Sequence, residues 1–233
     1  MNKVTKIVFE VILLAGIVAL AYALYSSIMQ PVNFNKEKKS REAVAVQRLK
    51  DIRTLQVAYK SVTGKFNSSI DSLKQFYENG EMEIVMQIGS LDDSLAVANT
   101  EAIKKANRGL KPDQLTAKLQ DAYNAGKSVV FSTVTKMPVR DTLFRGREDF
   151  CIDSLKYIPF SGKDTIQLES VTRMVSGVPV PLFEARIPWR ALLKGMNNQL
   201  RINLDAEMRD LNRYEGLQVG SVTAPNNNAG NWE

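Results

Sequence analysis

The chain has no histidine and only one cysteine, Cys151. Histidine is the commonest general base near neutral pH and the commonest metal ligand, so its absence removes serine–histidine catalysis and histidine-held metals. One cysteine supports neither an intramolecular disulfide nor a zinc cluster. Any metal site is left to carboxylates and carbonyls, the ligands of calcium and magnesium. Between Phe150 and Ile152, Cys151 reads as a small buried hydrophobe. The glycines are dispersed, so no phosphate-cradling loop is present. The adjacent acids Asp92-Asp93 and Glu148-Asp149 sit in turns, where they do not oppose each other across a cleft. The reading is therefore a protein that is not an enzyme, with no catalytic residue, no metal and no cofactor.

The charge balance excludes a further class. The net charge is +6, but 31 basic residues are interspersed with 25 acidic ones, whereas a nucleic-acid binder gathers its excess on one face or tail. No nucleic-acid partner is expected. The main basic cluster is Lys36, Lys38, Lys39 and Arg41, which suits contact with anionic lipid headgroups.

That cluster follows the most informative stretch of the chain. Ile7 to Met29 is mostly apolar, with Glu10 as its only charge. About 20 apolar residues are what a helix needs to cross a bilayer. A cleaved secretory signal is the competing reading, because Lys3 and Lys6 precede the run and Ala21-Tyr22-Ala23 has the small-x-small pattern of a cleavage site. The run continues past that site, which favours a retained anchor. Pro31 predicts a kink or short break over Gln30 to Asn35. A second, amphipathic helix is then predicted from Lys36 to Val62, with Ala45 and the stripe Leu49, Ile52, Leu55, Tyr59 and Val62 on one face. That stripe suits burial against the following domain, or self-association into a homo-oligomer over a short coil.

Beyond Gly64, a C-terminal cap, Ser68 or Ser69 caps a short helix through Leu73 and Phe76. Met82 to Ile88 reads as a strand. Leu95 to Ala125 reads as helical, interrupted at Asn107-Arg108-Gly109 and restarted at Pro112. Ser128 to Val134, Leu155 to Phe160, Thr165 to Thr172, Val180 to Ile187, Leu200 to Leu204 and Leu217 to Val222 read as strands. Short helices are expected over Pro188 to Leu193 and Asp205 to Leu211. The tail from Ala224 is read as too polar to pack, except for Trp232.

Helices first and strands later, without regular alternation, predict an α+β fold. A transmembrane helix continues into a long amphipathic helix, which packs on a mostly antiparallel sheet. The expected divisions are 1–6 as a flank, 7–29 as the membrane helix, 30–62 as kink and amphipathic helix, 63–222 as an α+β domain and 223–233 as a polar tail.

An acid near the start of the membrane helix, a long helix ending in Ala58-Tyr59, then Thr63-Gly64-Lys65-Phe66, Ser68-Ser69 and Leu73, together form a recognisable order. Residues 7–76 resemble the N-terminal half of type IV pilins and type II secretion pseudopilins. In that family Gly-x-Tyr/Phe is followed by Pro, where this chain has Asn67. The family's leader, cleaved before a methylated Phe, has no counterpart, since Thr5-Lys6 precede Ile7. Glu10 would match the glutamate that compensates a neighbouring subunit's amine in the filament. Gly230-Asn231-Trp232 resembles the Trp-bearing end of major pseudopilins, whose preceding loop binds calcium; Asn226 to Asn228 supply no carboxylate for that. The resemblance implies a single-pass protein of the bacterial inner membrane with a periplasmic domain. It further implies a structural or assembly role in an envelope machine, with membrane or periplasmic protein partners. Glu10, Pro31, Lys36, Lys38, Lys39 and Arg41 would be the membrane and assembly contacts. The flanking charges pull the other way, since Lys36, Lys38, Lys39, Arg41 and Arg48 outnumber Lys3 and Lys6 and would hold the domain in the cytoplasm. A membrane-anchored solute- or lipid-binding module is the alternative function, using a pocket in the 128–222 sheet.

Overall fold

The structure, a computed structural model, describes residues 3–233. The flank expected over residues 1–6 is described only in part: its side chains begin at Lys6, so those of Lys3 and Thr5 lie outside the described residues. In chain order the elements are α1 (Lys3–Thr63), α2 (Ile70–Asn79), β1 (Glu81–Ile88), α3 (Ser94–Ala106), α4 (Pro112–Asn124), β2 (Phe131–Pro138) and α5 (Val139–Thr142). A 3-10 turn over Ile152–Lys156 precedes β3 (Gln167–Val175), β4 (Val178–Pro188), α6 (Trp189–Leu192), α7 (Asn198–Asp210) and β5 (Gly216–Gly220). The class is α+β. The chain divides into two compact units, 1–73 with 151–233, and 74–150.

The first unit is α1 against an antiparallel sheet of order β3-β4-β5. β4 is the central strand, and Leu182 to Ala185 and Ile187 are all buried. Its prolines Pro179 and Pro181 face β3 only, because β5 pairs with Glu184 to Pro188. Proline is found where one side of a strand is unpaired, as here, because fewer ladder bonds depend on its missing N–H. The second unit holds the antiparallel pair β1-β2, with Val85 opposite Val134, and the helices α3 and α4. Leu119, Val129 and Phe131 form a small core there, with Ile88, Ile103 and Leu115 packed around it.

Five expectations are corrected. The helix runs unbroken through Pro31, so 7–29 and 36–62 are one helix of 61 residues. Proline removes the bond to the carbonyl four residues back, and Ser27, the residue concerned, lies where the apolar run gives way to polar sequence. Leu200 to Leu204 is part of α7 and not a strand. Asn197 accepts a hydrogen bond from the Leu200 amide as its cap, and Leu200, Leu204 and Met208 repeat at the helical interval of four. Over Leu155 to Phe160 the chain makes a 3-10 turn and a single bridge from Tyr157 to Thr165. Cys151 is exposed, because its apolar neighbours in sequence do not enclose it in space. The end of the tail is tied down although Ala224 to Asn227 stay exposed: Val219 bridges Gly230, and the Asn231 side chain donates to the Gly216 carbonyl at 2.9 Å.

Candidate functional site along the first helix

Every described side chain from Lys6 to Tyr25 is exposed. At about 1.5 Å per residue, Ile7 to Met29 reaches about 34 Å, enough for about 30 Å of hydrocarbon. α1 is the one helix among the described residues that is long and apolar enough to cross a membrane. Glu10, the single acid in the run, lies 4.0 Å from the Lys6 ammonium one turn earlier. A carboxylate in lipid needs such a counter-charge or a place near the headgroups.

The burial of α1 begins abruptly after this. Phe34 is buried, then Ala45, Leu49, Ile52, Leu55 and Ala58, at the three- and four-residue steps of one helical face. Of the predicted stripe, Leu49, Ile52 and Leu55 are completely enclosed, Tyr59 is half-buried, and Val62 is 50% exposed. Val62 lies in the last turn, where the chain leaves the helix at Gly64. That glycine has φ +78°, a left-handed conformation natural to it, and its amide donates to the Lys60 carbonyl at 2.8 Å.

The basic cluster divides in two. Arg41 turns into the protein: one guanidinium nitrogen donates to the carbonyls of Leu192 (3.2 Å) and Lys194 (2.9 Å), at the C-terminal end of α6. It also pairs with Glu37 at 2.9 Å and lies 5.0 Å from the Phe160 ring centre. A cation suits the exposed carbonyls that end a helix. Lys38 lies 5.1 Å from the Trp189 ring and 3.8 Å from Glu42. Lys36 and Lys39 stay exposed. Farther along, Arg48 donates to the Tyr157 carbonyl, and its guanidinium is pushed down chiefly by burial, against the opposing influence of Asp51 and Cys151. Arg41 and Lys38 therefore serve the seating of the domain, and Lys36 and Lys39 are the two cluster members that face outward.

Three contacts that sequence reasoning did not assign complete the seat. Gln56 is fully buried; its amide nitrogen donates to the Asn67 carbonyl at 2.6 Å, and its carbonyl accepts from the Asn67 amide at 2.9 Å. Proline at 67 could not make the second bond, so Asn67 and Gln56 form a matched pair. Phe66 lies 4.7 Å from Phe183 of β4, filling the space under the central strand. Arg53 holds the tail, donating to Glu233 at 2.6 Å and to the Asn228 carbonyl at 3.3 Å. This bond keeps the Glu233 carboxyl below its ordinary range. Gly230 lies under the Trp232 ring, which would stand 2.3 Å from any added Cβ. In sequence, Gln56 falls on the apolar stripe, four residues after Ile52 and three before Tyr59, and that polar residue in an apolar row was the one available signal for the clamp; the tail contacts had none.

Asn226, Asn227 and Asn228 bend the tail by their own chemistry. Asn227 and Asn228 have positive φ, which asparagine tolerates, and the Asn226 side chain accepts from the Asn228 amide at 3.1 Å. No cluster of potential metal-ligating side chains is found among the described residues. No family model, curated protein or solved structure matches this chain. What stands is an α+β protein carried on one long helix, the first half of which is apolar and exposed enough to span a membrane.

Proposed function

We propose that this protein is a membrane-anchored structural or assembly component of a cell-envelope machine of the pilus or secretion kind, acting through protein contacts. The observation that carries the reading is the continuity of α1. The same helix that offers an apolar surface over Ile7 to Tyr25 becomes the core element of the first unit from Phe34 onward. Only about 8 Å of helix separates Met29 from Phe34, so a domain so built has little freedom relative to its anchor. A rigid stalk of this sort transmits position, which an assembly needs and a tethered solute-binding module does not. The order of the helix, Gly64-x-Phe66 and the sheet supports the pilin-like comparison. The domain is assigned to the periplasmic side of a bacterial inner membrane, as in that family.

The test is a pair of reporter fusions at the C terminus, one active only in the cytoplasm and one only outside it. Activity of the external reporter is expected. Activity of the cytoplasmic reporter alone overturns the proposed location and with it the envelope role.

A further inference from the structure

The pair β1-β2 of the second unit is a sheet of two strands, with no third strand on either side among the described residues. Its register fixes which way the backbone groups of β1 point. The Val139 amide donates to the Gly80 carbonyl at 2.9 Å, in the same register that sets Glu81 opposite Pro138. Hydrogen-bonded and non-hydrogen-bonded pairs alternate along an antiparallel ladder. Met82, Ile84, Met86 and Ile88 therefore bond to β2, and the N–H and C=O groups of Glu81, Glu83, Val85 and Gln87 turn outward.

The two outer edges differ. On β2, Lys136 and Pro138 hold outward positions, and Pro138 has no N–H to give there. Charge and proline are the means by which an edge strand is kept from pairing. On β1 the only charges are Glu81 and Glu83, at its start, and Ile84 to Ile88 carries neither charge nor proline. Val85 is 68% exposed, and Met86, on the opposite face of the strand, is 47% exposed.

β1 is also matched to itself. Outward from Val85, Ile84 corresponds to Met86, Glu83 to Gln87 and Met82 to Ile88, apolar with apolar and acid with amide. When a second β1 is laid antiparallel about Val85, each residue meets its counterpart and no two acids stand opposite. The backbone agrees with this register: Glu83, Val85 and Gln87, whose groups face outward, meet Gln87, Val85 and Glu83, whose groups do the same. The product is a four-stranded sheet bounded on both sides by the guarded edge of β2, so the assembly closes at two copies. Leu49, Ile52 and Leu55 of α1, the other residues suited to self-association, are enclosed in the first unit.

We propose that this protein forms a two-fold dimer with a second copy of itself through the outer edge of β1, the two strands running antiparallel with Val85 at the axis. The dimer does not depend on the envelope role, and either can fail while the other stands.

The experiment uses the full chain in detergent, followed by sedimentation equilibrium, and a dimer is expected. Val85→Lys sets two like charges opposite each other and should raise the dissociation constant about tenfold. Val134→Lys makes the same change at the residue directly across the ladder, itself 60% exposed, and should leave the dimer unchanged. A circular dichroism melt checks that both variants fold. Oxidative cross-linking in a Cys151→Ser background reads the register. Val85→Cys should link to its own copy, since Cα atoms in a hydrogen-bonded pair lie about 5.5 Å apart, within disulfide reach. Gln87→Cys, offset from its own copy by about 14 Å, should not. The proposal is overturned if the wild-type chain is a monomer, whether its β1 edge is left open or is taken by another protein. It is overturned too if Val85→Lys leaves the dimer undiminished, if Val134→Lys weakens it as much, or if Gln87→Cys cross-links as readily as Val85→Cys.

Discussion

The two halves of α1 share one unbroken backbone and differ in everything they touch. From Lys6 to Tyr25 the described side chains are exposed all round, and beyond the Lys6–Glu10 pair the sequence carries no charge on any face. From Phe34 to Ala58 one face is buried and the opposite face carries Lys36, Lys39, Lys50 and Val57 in the open. A helix apolar on all sides needs a medium that is apolar on all sides, whereas a striped helix needs only one apolar neighbour. The comparison teaches that the side-chain pattern, and not the backbone, changes the solvent a helix is built for. Pro31 stands at the changeover and does not divide the helix.

The largest effect should come from breaking the first half. Leu14→Arg with Ile17→Arg places two charges at the centre of the apolar run, at a cost of about 3 kcal/mol each on insertion scales. The protein should move from the membrane to the soluble fraction on carbonate extraction. It should keep a cooperative unfolding transition, because that segment packs on nothing in the domain.

Breaking the second half should do the reverse. Ile52→Ala leaves a cavity at a completely enclosed position and should cost about 2–5 kcal/mol, read by urea denaturation, with membrane association retained. Val62→Ala, in the same stripe by sequence but half exposed, should change stability by less than about 0.5 kcal/mol.

Asn67→Pro sharpens the pilin-like comparison by installing the family's residue. It deletes the N–H that satisfies the buried Gln56 carbonyl oxygen and should cost about 1–3 kcal/mol. Gln56→Leu in the same chain should recover part of that loss, since no buried acceptor is then left without a donor.

The smallest effect concerns the tail. Arg53 holds the Glu233 carboxyl below its ordinary 4.5, so the folded state binds this proton less readily than the unfolded one. The pair's contribution is present at pH above 4.5 and is lost as pH falls through the lower folded value. Arg53→Ala should therefore flatten a small acid-side decline in melting temperature, with no change in its pH dependence between pH 6 and 8.

Most of the helical and sheet plan was legible because it is local. The long apolar helix, the enclosed part of the stripe (Leu49, Ile52 and Leu55), the Gly64 cap and the strands β1 and β4 follow from periodicity and turn residues. The misreadings came where two periods coincide or where distant residues decide. Leu200, Ile202 and Leu204 alternate like a strand, yet Leu200, Leu204 and Met208 also fit a helix; the Asn197 cap settles it. The contacts of Arg41 and Lys38 within the domain were not legible, because nothing nearby in sequence shows that Leu192, Lys194 and Trp189 come to meet them. The tail was read as loose for the same reason, since Arg53 and β5 lie far from it in sequence. The division at residues 73 and 150 was equally hidden, because α2 runs across the first boundary without a break in pattern.

The central claim is that α1 holds this protein in the membrane so that its domain can engage other proteins. Native co-purification of the full chain from gently solubilised membranes, with quantitative mass spectrometry of what elutes, tests it most directly. The account predicts a reproducible set of envelope proteins, which is depleted when Leu14→Arg and Ile17→Arg release the chain from the membrane. Elution of the wild-type chain alone, as a monomer with no enriched partner, would contradict it.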